Sequence, residues 1–151
     1  MLNESSLIES ELRIRSLSIG KEVMETRRSM VRWLALSLGV ISPGETRLSA
    51  IAVLDAMLHF QFGEKLDPAI PQIIEYISAQ WEPINEKTLR YHMLQFKKMQ
   101  LIDGDKGRYH FIWPEIGERY EPEEWIKNYI QVCANPVVDK AQIVLKTIFK
   151  K

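Results

Sequence analysis

The stretch that decides the fold is TLRYHMLQFKKMQLIDGDKGRYHF, residues 88–111. Leu89, Met93 and Phe96, followed by Met99 or Gln100, recur at helical spacing and predict a helix from about 86 to 100, with Asn85 as its N-cap. The residues Leu101-Ile102-Asp103 and RYHFI (108–112) then alternate around Gly104-Asp105-Lys106-Gly107, which predicts a two-stranded hairpin. In the second strand Arg108 and His110 share one face, while Tyr109 and Phe111 share the other and are expected to pack inward. With Leu89, Met93 and Phe96 turned in, the helix leaves Lys87, Arg90, Tyr91, Leu94, Lys97 and Lys98 outward or flanking the core.

Working outward, TRLSAIAVLDAMLHFQF (46–62) sets Leu48, Ile51, Ala52, Leu54, Leu58 and Phe62 at helical spacings, so a well-buried helix ended by Gly63 is expected. The short piece EKLD (64–67) reads as an extended edge, and Pro71 suits the first turn of a helix over 71–81 whose inner face is Ile73, Ile74, Ile77 and Trp81. At the N-terminus Ser6 and Glu9 match a capping box, and the pattern predicts helix up to the breaker Ser42-Pro43-Gly44, with Gly20 as a kink or a break between two helices. Ile8, Ile19, Met30 and Ile41 form one row at an 11-residue interval, and Leu12, Val23 and Leu34 a second. Eleven residues is about three turns, so the rows would stack into one stripe. One reading is an amphipathic helix lying on its own domain; its length favours a helix that packs across a dimer. Two tail helices are predicted, opened by Pro122 and by Asn135-Pro136, and Val137, Ala141, Val144 and Ile148 repeat at four and three as a seam for a partner helix. Ile8, Leu12, Ile19, Val23, Met30, Leu34, Val137, Val144 and Ile148 are the expected dimer contacts.

Composition bounds the function. A chain of 151 residues suggests one domain with appended helices, and 46% apolar with 26% charged residues allows an ordinary core. Zero net charge argues against non-specific coating of nucleic acid but leaves room for a local basic face. Charge is segregated: over 85–112 six basic residues against three acidic ones leave +3, a second basic cluster runs from Arg13 to Arg32, and acid gathers at 115–124. The single cysteine, Cys133, permits no intrachain disulfide and reads as a buried small residue in a reducing compartment. The longest apolar run, VRWLALSLGVI (31–41), contains Arg32 and is too short to span a bilayer, so a soluble cytoplasmic protein is expected. His59, His92 and His110 lack metal-ligand spacing, no phosphate-binding or nucleophile motif is found, and Glu123-Glu124 diverge on a helix start. Neither catalysis nor a cofactor or metal is expected.

The order between about 46 and 113 (helix, short extended piece, helix, turn, helix, hairpin) resembles winged helix-turn-helix DNA-binding domains. Thr88 and Leu89 would open the recognition helix, Met93 and Phe96 occupy core-leucine positions, Leu101-Ile102 begin the first wing strand, and Gly104 to Gly107 form the wing tip. The terminal helices resemble the arrangement of the MarR-like and PadR-like transcriptional regulators. Two departures stand out: Pro83 lies where the turn usually carries glycine, in a turn one residue longer, and Gln100 lies where glycine commonly closes the recognition helix.

The resemblance implies a mainly α fold, a winged helix-turn-helix with a three-helix core, a two-stranded β-wing, a long N-terminal helix and C-terminal helices. The implied segments are 1–45 for dimerisation, 46–113 for the winged domain and 114–151 for the C-terminal helices. It also implies a dimeric DNA-binding transcriptional regulator, with the helix at about 86–100 in the major groove. Lys87, Arg90 and Tyr91 would meet base edges, Arg90 as the guanine reader, while Thr88 would bond a phosphate and Lys97 and Lys98 add charge. Lys106 and Arg108 of the wing, about 101–112, would reach the backbone or minor groove. The expected partners are double-stranded DNA and a second copy, with no membrane. Trp33, Trp81, Trp113 and Trp125 read as packing residues, the alternative being an aromatic pocket for an effector of unknown identity. Rival functions are a winged-helix protein-interaction module in a larger assembly, or a DNA-binding protein of replication or partition.

Overall fold

Five α-helices and one β-hairpin make up most of the regular structure in the computed structural model, which describes residues 3–113 and 120–150. The chain divides into two units, Met1–Phe111 and Ile112–Lys151. The first holds α1 (Arg27–Ser37), α2 (Ser49–Leu58), α3 (Ile70–Gln80), α4 (Glu86–Lys98), β1 (Ile102–Asp105) and β2 (Arg108–Phe111). The second holds α5 (Pro122–Ile148).

Helix α2 is the centre of the first unit. Every residue from Ile51 to Met57 is buried, and α1, α3 and α4 all pack against it. One of those residues is an acid. Asp55, only 2% exposed, accepts from Arg27 Nε at 2.7 Å, Tyr76 Oη at 2.8 Å and Trp81 Nε1 at 2.9 Å. A buried carboxylate is tolerated only with this kind of saturation by donors. Burial, then the Asp55 carboxylate, hold the Tyr76 phenol protonated to about pH 12. The neighbouring Arg28 lies 4.1 Å over the Trp81 ring and donates to the Gln80 carbonyl, so α1 is clamped to the end of α3.

The path from α2 to α3 carries a second buried polar side chain. The α-helix stops at Leu58, earlier than the expected 62, and continues as a π-helical turn, His59–Glu64, closed by Lys65 in the left-handed conformation. Within this turn Gln61 is fully buried. Its Nε2 donates to the Leu66 carbonyl and Asp67 Oδ1, and its Oε1 accepts the Phe111 N–H. The extended edge lies just beyond the expected EKLD, at Pro68-Ala69: the Tyr109 N–H donates to the Pro68 carbonyl and Ala69 bridges to Arg108 in antiparallel sense. Helix α3 then starts with Pro71 in its first turn, as anticipated.

The hairpin pairs Ile102 with Phe111, Asp103 with His110, Gly104 with Tyr109 and Asp105 with Arg108. Its turn is Lys106-Gly107, both at positive φ, the two-residue form whose twist matches antiparallel strands. Phe111 is fully buried and Tyr109 partly so, as the alternation predicts.

Two expected features are corrected. The long N-terminal helix does not form. Residues 8–20 are without helix, between 3₁₀ turns at Glu4–Leu7 and Lys21–Met24, and only α1 is α-helical, opened by a Thr26/Ser29 capping box. Ser10, Ser16 and Ser18 weaken the helical tendency of this strap, residues 8–20, and the strap finds its partners elsewhere. The Arg15 N–H donates to the Ser37 carbonyl, Arg15 Nη1 to the carbonyls of Leu36 and Ile41, and Trp33 Nε1 to that of Ser18. Gly39, at φ +74°, meets the strap so closely that a Cβ would stand 2.3 Å from the Arg13 carbonyl oxygen. The 11-residue rows therefore share no helical face: Ile8, Ile19 and Met30 are exposed, Ile41 is buried, and Leu12, Val23 and Leu34 are half-buried. The second correction is at the tail. One 27-residue helix replaces the two expected, with Pro136 inside it rather than opening a new one. The ring deprives the Val132 carbonyl of its usual N–H partner, and the helix continues through it.

Replacing Asp55 by Ala strands the Tyr76 hydroxyl and Trp81 indole N–H in the interior, and should cost about 3 kcal/mol. Urea denaturation followed by tryptophan fluorescence measures it. A loss under about 0.5 kcal/mol, the range of ordinary surface changes, would contradict the structural role given to this acid.

Candidate nucleic-acid interface

Helix α4 is fixed at both ends. The Asn85 side chain accepts the Thr88 N–H at 2.7 Å. At the other end Gln100 takes φ +61°, the Leu101 N–H donates to the Phe96 carbonyl and the Gln100 N–H to that of Lys97. This is the double-bonded C-terminal motif usually completed by glycine, here with glutamine in the left-handed position. Lys97 and Lys98 lie in the last turn, where the helix dipole favours cations.

The helix presents three faces. Leu89, Met93 and Phe96 are buried, as expected. Lys87, Arg90, Tyr91, Leu94, Lys97 and Lys98 are all exposed, with Tyr91 at 58% and Leu94 at 49%. Thr88, His92, Gln95 and Met99 form a half-buried flank between the two. Two sequence-derived candidates already have partners. Arg90 Nη2 lies 3.1 Å from Glu86 Oε1, one turn back on the same helix. Such an exposed pair contributes only about 0.3–0.5 kcal/mol and yields easily to a stronger anion. Arg108 donates from Nη1 to the Asp67 carbonyl, tying the hairpin to the segment before α3. The Thr88 N–H is occupied by Asn85, so it is not among the free donors at the helix start. Lys106 is exposed at the hairpin tip.

The half-buried flank of α4 forms one wall of a cleft of about 640 Å³. The opposite wall comes from the strap with Glu11 and Arg13, the loop before α2 with Glu45 and Arg47, and Ser49 at the start of α2, and Lys98 also lines the space. Arg13 pairs with Glu11 and Arg47 with Glu45, both arginines being largely exposed. Nothing local in the sequence marks these two cations as neighbours of α4, because the strap reaches the helix only through tertiary contacts.

Inside the cleft Ser49 Oγ and His92 Nε2 are 2.8 Å apart and share a hydrogen bond. Burial, aided by nearby Arg47, lowers the His92 pKa, so the neutral ring is favoured. His92 thus joins α2 to α4 as a packing residue, in keeping with its place beside the inward stripe. Among the described residues no group of three or more His, Cys, Asp or Glu is placed to hold a metal ion, and no helix is long and apolar enough to cross a membrane.

In the second unit Trp125, Tyr129 and Cys133 are buried, and the Trp125 and Tyr129 rings stack at 5.8 Å. Burial raises the Cys133 thiol pKa, which suits a packing residue and not a nucleophile. From Asn135 to Lys150 every residue is exposed, including Val137, Val144 and Ile148 of the expected seam. The acidic residues Glu115 and Glu118 lie outside the described residues. Comparison with known proteins found no matching family model, no significantly similar curated protein and no significantly similar solved structure.

Because His92 has a lowered pKa in the fold, the neutral ring's contribution to stability is complete above the ordinary value of 6.5 and is lost as pH falls through the depressed one. The stability difference between the wild type and His92→Gln should therefore shrink between pH 7 and 5. An NMR titration of the His92 ring with a midpoint at or above 6.5 would contradict this burial.

Proposed function

We propose that this protein is a winged-helix DNA-binding regulator that acts as a homodimer, with α4 as recognition helix and the β1–β2 hairpin as wing. The observation that carries the reading is the solvent face of α4, which displays Lys87, Arg90, Tyr91, Lys97 and Lys98 on a helix capped at both ends. The order of α2, the Pro68-Ala69 edge, α3, α4 and the hairpin supports it, with the edge joined to β2 by a single antiparallel bridge, Ala69 to Arg108, beside the Tyr109 N–H bond to the Pro68 carbonyl. An α-helix is about 10–12 Å across with its side chains, and the major groove is about 12 Å wide, enough to admit α4.

In this arrangement Arg90 leaves Glu86 to take guanine O6 and N7, with Lys87 and Tyr91 beside it. Lys97, Lys98 and Lys106 meet phosphates, and Arg108 steadies the wing through its bond to Asp67. Two such helices related by a two-fold would read half-sites about one turn, roughly 34 Å, apart. A cytoplasmic location fits this role.

The rival is an interaction module. Exposed Tyr91 and Leu94 on the same face favour it, since an aromatic and a leucine beside cations also suit a protein partner.

Fluorescence anisotropy of the purified protein with a labelled random-sequence duplex at two salt concentrations tests the reading. Affinity should fall steeply with salt, and absence of binding at low salt would favour the interaction module. With a selected site, Arg90→Ala should cost about 1–3 kcal/mol and relax preference at particular base pairs. Lys106→Ala should weaken all sequences alike and reduce the salt slope by about 1. Identical behaviour of the two variants on every sequence would refute the division of labour.

A further inference from the structure

We propose that the C-terminal half of α5 pairs antiparallel with the same segment of a second copy, Val137 opposite the partner's Ile148 and Ala141 opposite the partner's Val144. This rests on the homodimer reading above and adds the orientation and register.

The stretch from Asn135 to Lys150 leaves large apolar side chains in water: Val137 at 64%, Val144 at 57%, Leu145 at 53% and Ile148 at 64% exposed. At 100° per residue, Val137, Val138, Ala141, Val144, Leu145 and Ile148 fall on one side of the helix, while Asp139, Lys140, Lys146, Lys150 and one exposed apolar residue, Ile143, fall elsewhere. Val137, Ala141, Val144 and Ile148 step by four, three and four, the d-a-d-a rhythm of a seam filled by another helix. On its edges Val138 and Leu145 take the e positions, and Lys140 and Thr147 the g positions.

That asymmetry selects the orientation. In a parallel, in-register pair each layer meets its own copy, so Ala141 faces Ala141 across a gap and the e and g edges face each other, setting Lys140 against Leu145. In an antiparallel pair e faces e and g faces g. Val138 then meets the partner's Leu145, Lys140 meets the partner's Thr147, and every layer joins a smaller residue to a larger one. The antiparallel form also carries the two Lys146 and Lys150 clusters to opposite ends of the seam and opposes the helix dipoles. It is isologous and closes at two copies. Four layers make a short seam, so the dimer should dissociate on dilution.

The test uses the full chain with Val137→Cys or Ile148→Cys; both positions are exposed, and native Cys133 is buried. Each variant alone and an equal mixture are oxidised mildly and run on non-reducing gels, beside sedimentation of the unmodified protein. The expected result is a dimer in sedimentation and efficient cross-linking in the mixture only, through a disulfide between the two introduced thiols, one from each variant, identified by mass spectrometry. Cross-linking of each variant with itself would overturn the antiparallel register while leaving the homodimer intact. A dimer with no cross-link in any sample would overturn the α5 seam but not the dimer. A monomer at all concentrations would overturn both, and binding of that monomer to anionic lipid vesicles would give the stripe to a membrane surface instead.

Discussion

The first unit is organised around one carboxylate. Asp55 stands in a helix that is otherwise buried and apolar, and its charge is tolerable only because Arg27, Tyr76 and Trp81 converge on it from outside that helix. Those donors belong to α1, to α3 and to the residue that ends α3, so satisfying the acid fixes where both helices lie on α2. Apolar packing alone would tolerate sliding of α3 along α2; three hydrogen bonds to one buried group do not. Gln61 repeats the device at the other end, joining the π-helical turn to Phe111 of the hairpin. Two buried polar side chains thus set the frame on which α4 and the hairpin are presented.

That frame gives α4 its division of labour. The buried face holds the helix, the half-buried flank is tied to α2 through His92 and Ser49, and the exposed face is left with cations, Tyr91 and Leu94. A helix held on two sides and capped at both ends loses little freedom when its third side meets a partner, which is the preorganisation that recognition rewards. Arg13 and Arg47 line the cleft beside that face, each paired with an acid of the same cleft, Glu11 and Glu45, so the positive charge there belongs to α4 itself. The chain reaches this local concentration of charge without departing from overall neutrality.

What could be read from the sequence was mostly local. The α4 helix, its Asn85 cap and the hairpin around Lys106-Gly107 follow from periodicity, a capping side chain and turn chemistry within about 25 residues, and the structure has them within two residues. Gln100 stands where the resemblance to winged-helix domains expects a closing glycine, and its backbone takes the left-handed conformation there. The strap misled because an apolar repeat of eleven fits a helix only if the backbone finds its bonds there, and the Arg15 N–H and carbonyl bond instead to the carbonyl and hydroxyl of Ser37. Pro136 misled in the opposite sense: a proline next to asparagine usually marks a boundary, yet α5 runs through it. Asp55 left a signal, a lone acid in IAVLDAML, but its three partners are 21 to 28 residues away and no local rule names them. The basic face was legible as side chains on a helix, whereas the pairing of Arg90 with Glu86 and of Arg108 with the Asp67 carbonyl needed coordinates.

The central claim is that the exposed side of α4, together with the hairpin tip, is the surface that meets duplex DNA. Backbone amide NMR shifts recorded while an unlabelled duplex of about two helical turns is added test it most directly. The account predicts perturbations concentrated at Lys87, Arg90, Tyr91, Leu94, Lys97, Lys98 and Lys106, fading as salt is raised, with Ile73, Ile77 and the rest of the inner face of α3 unmoved. Perturbations confined to other surfaces, or none at low salt, would contradict it.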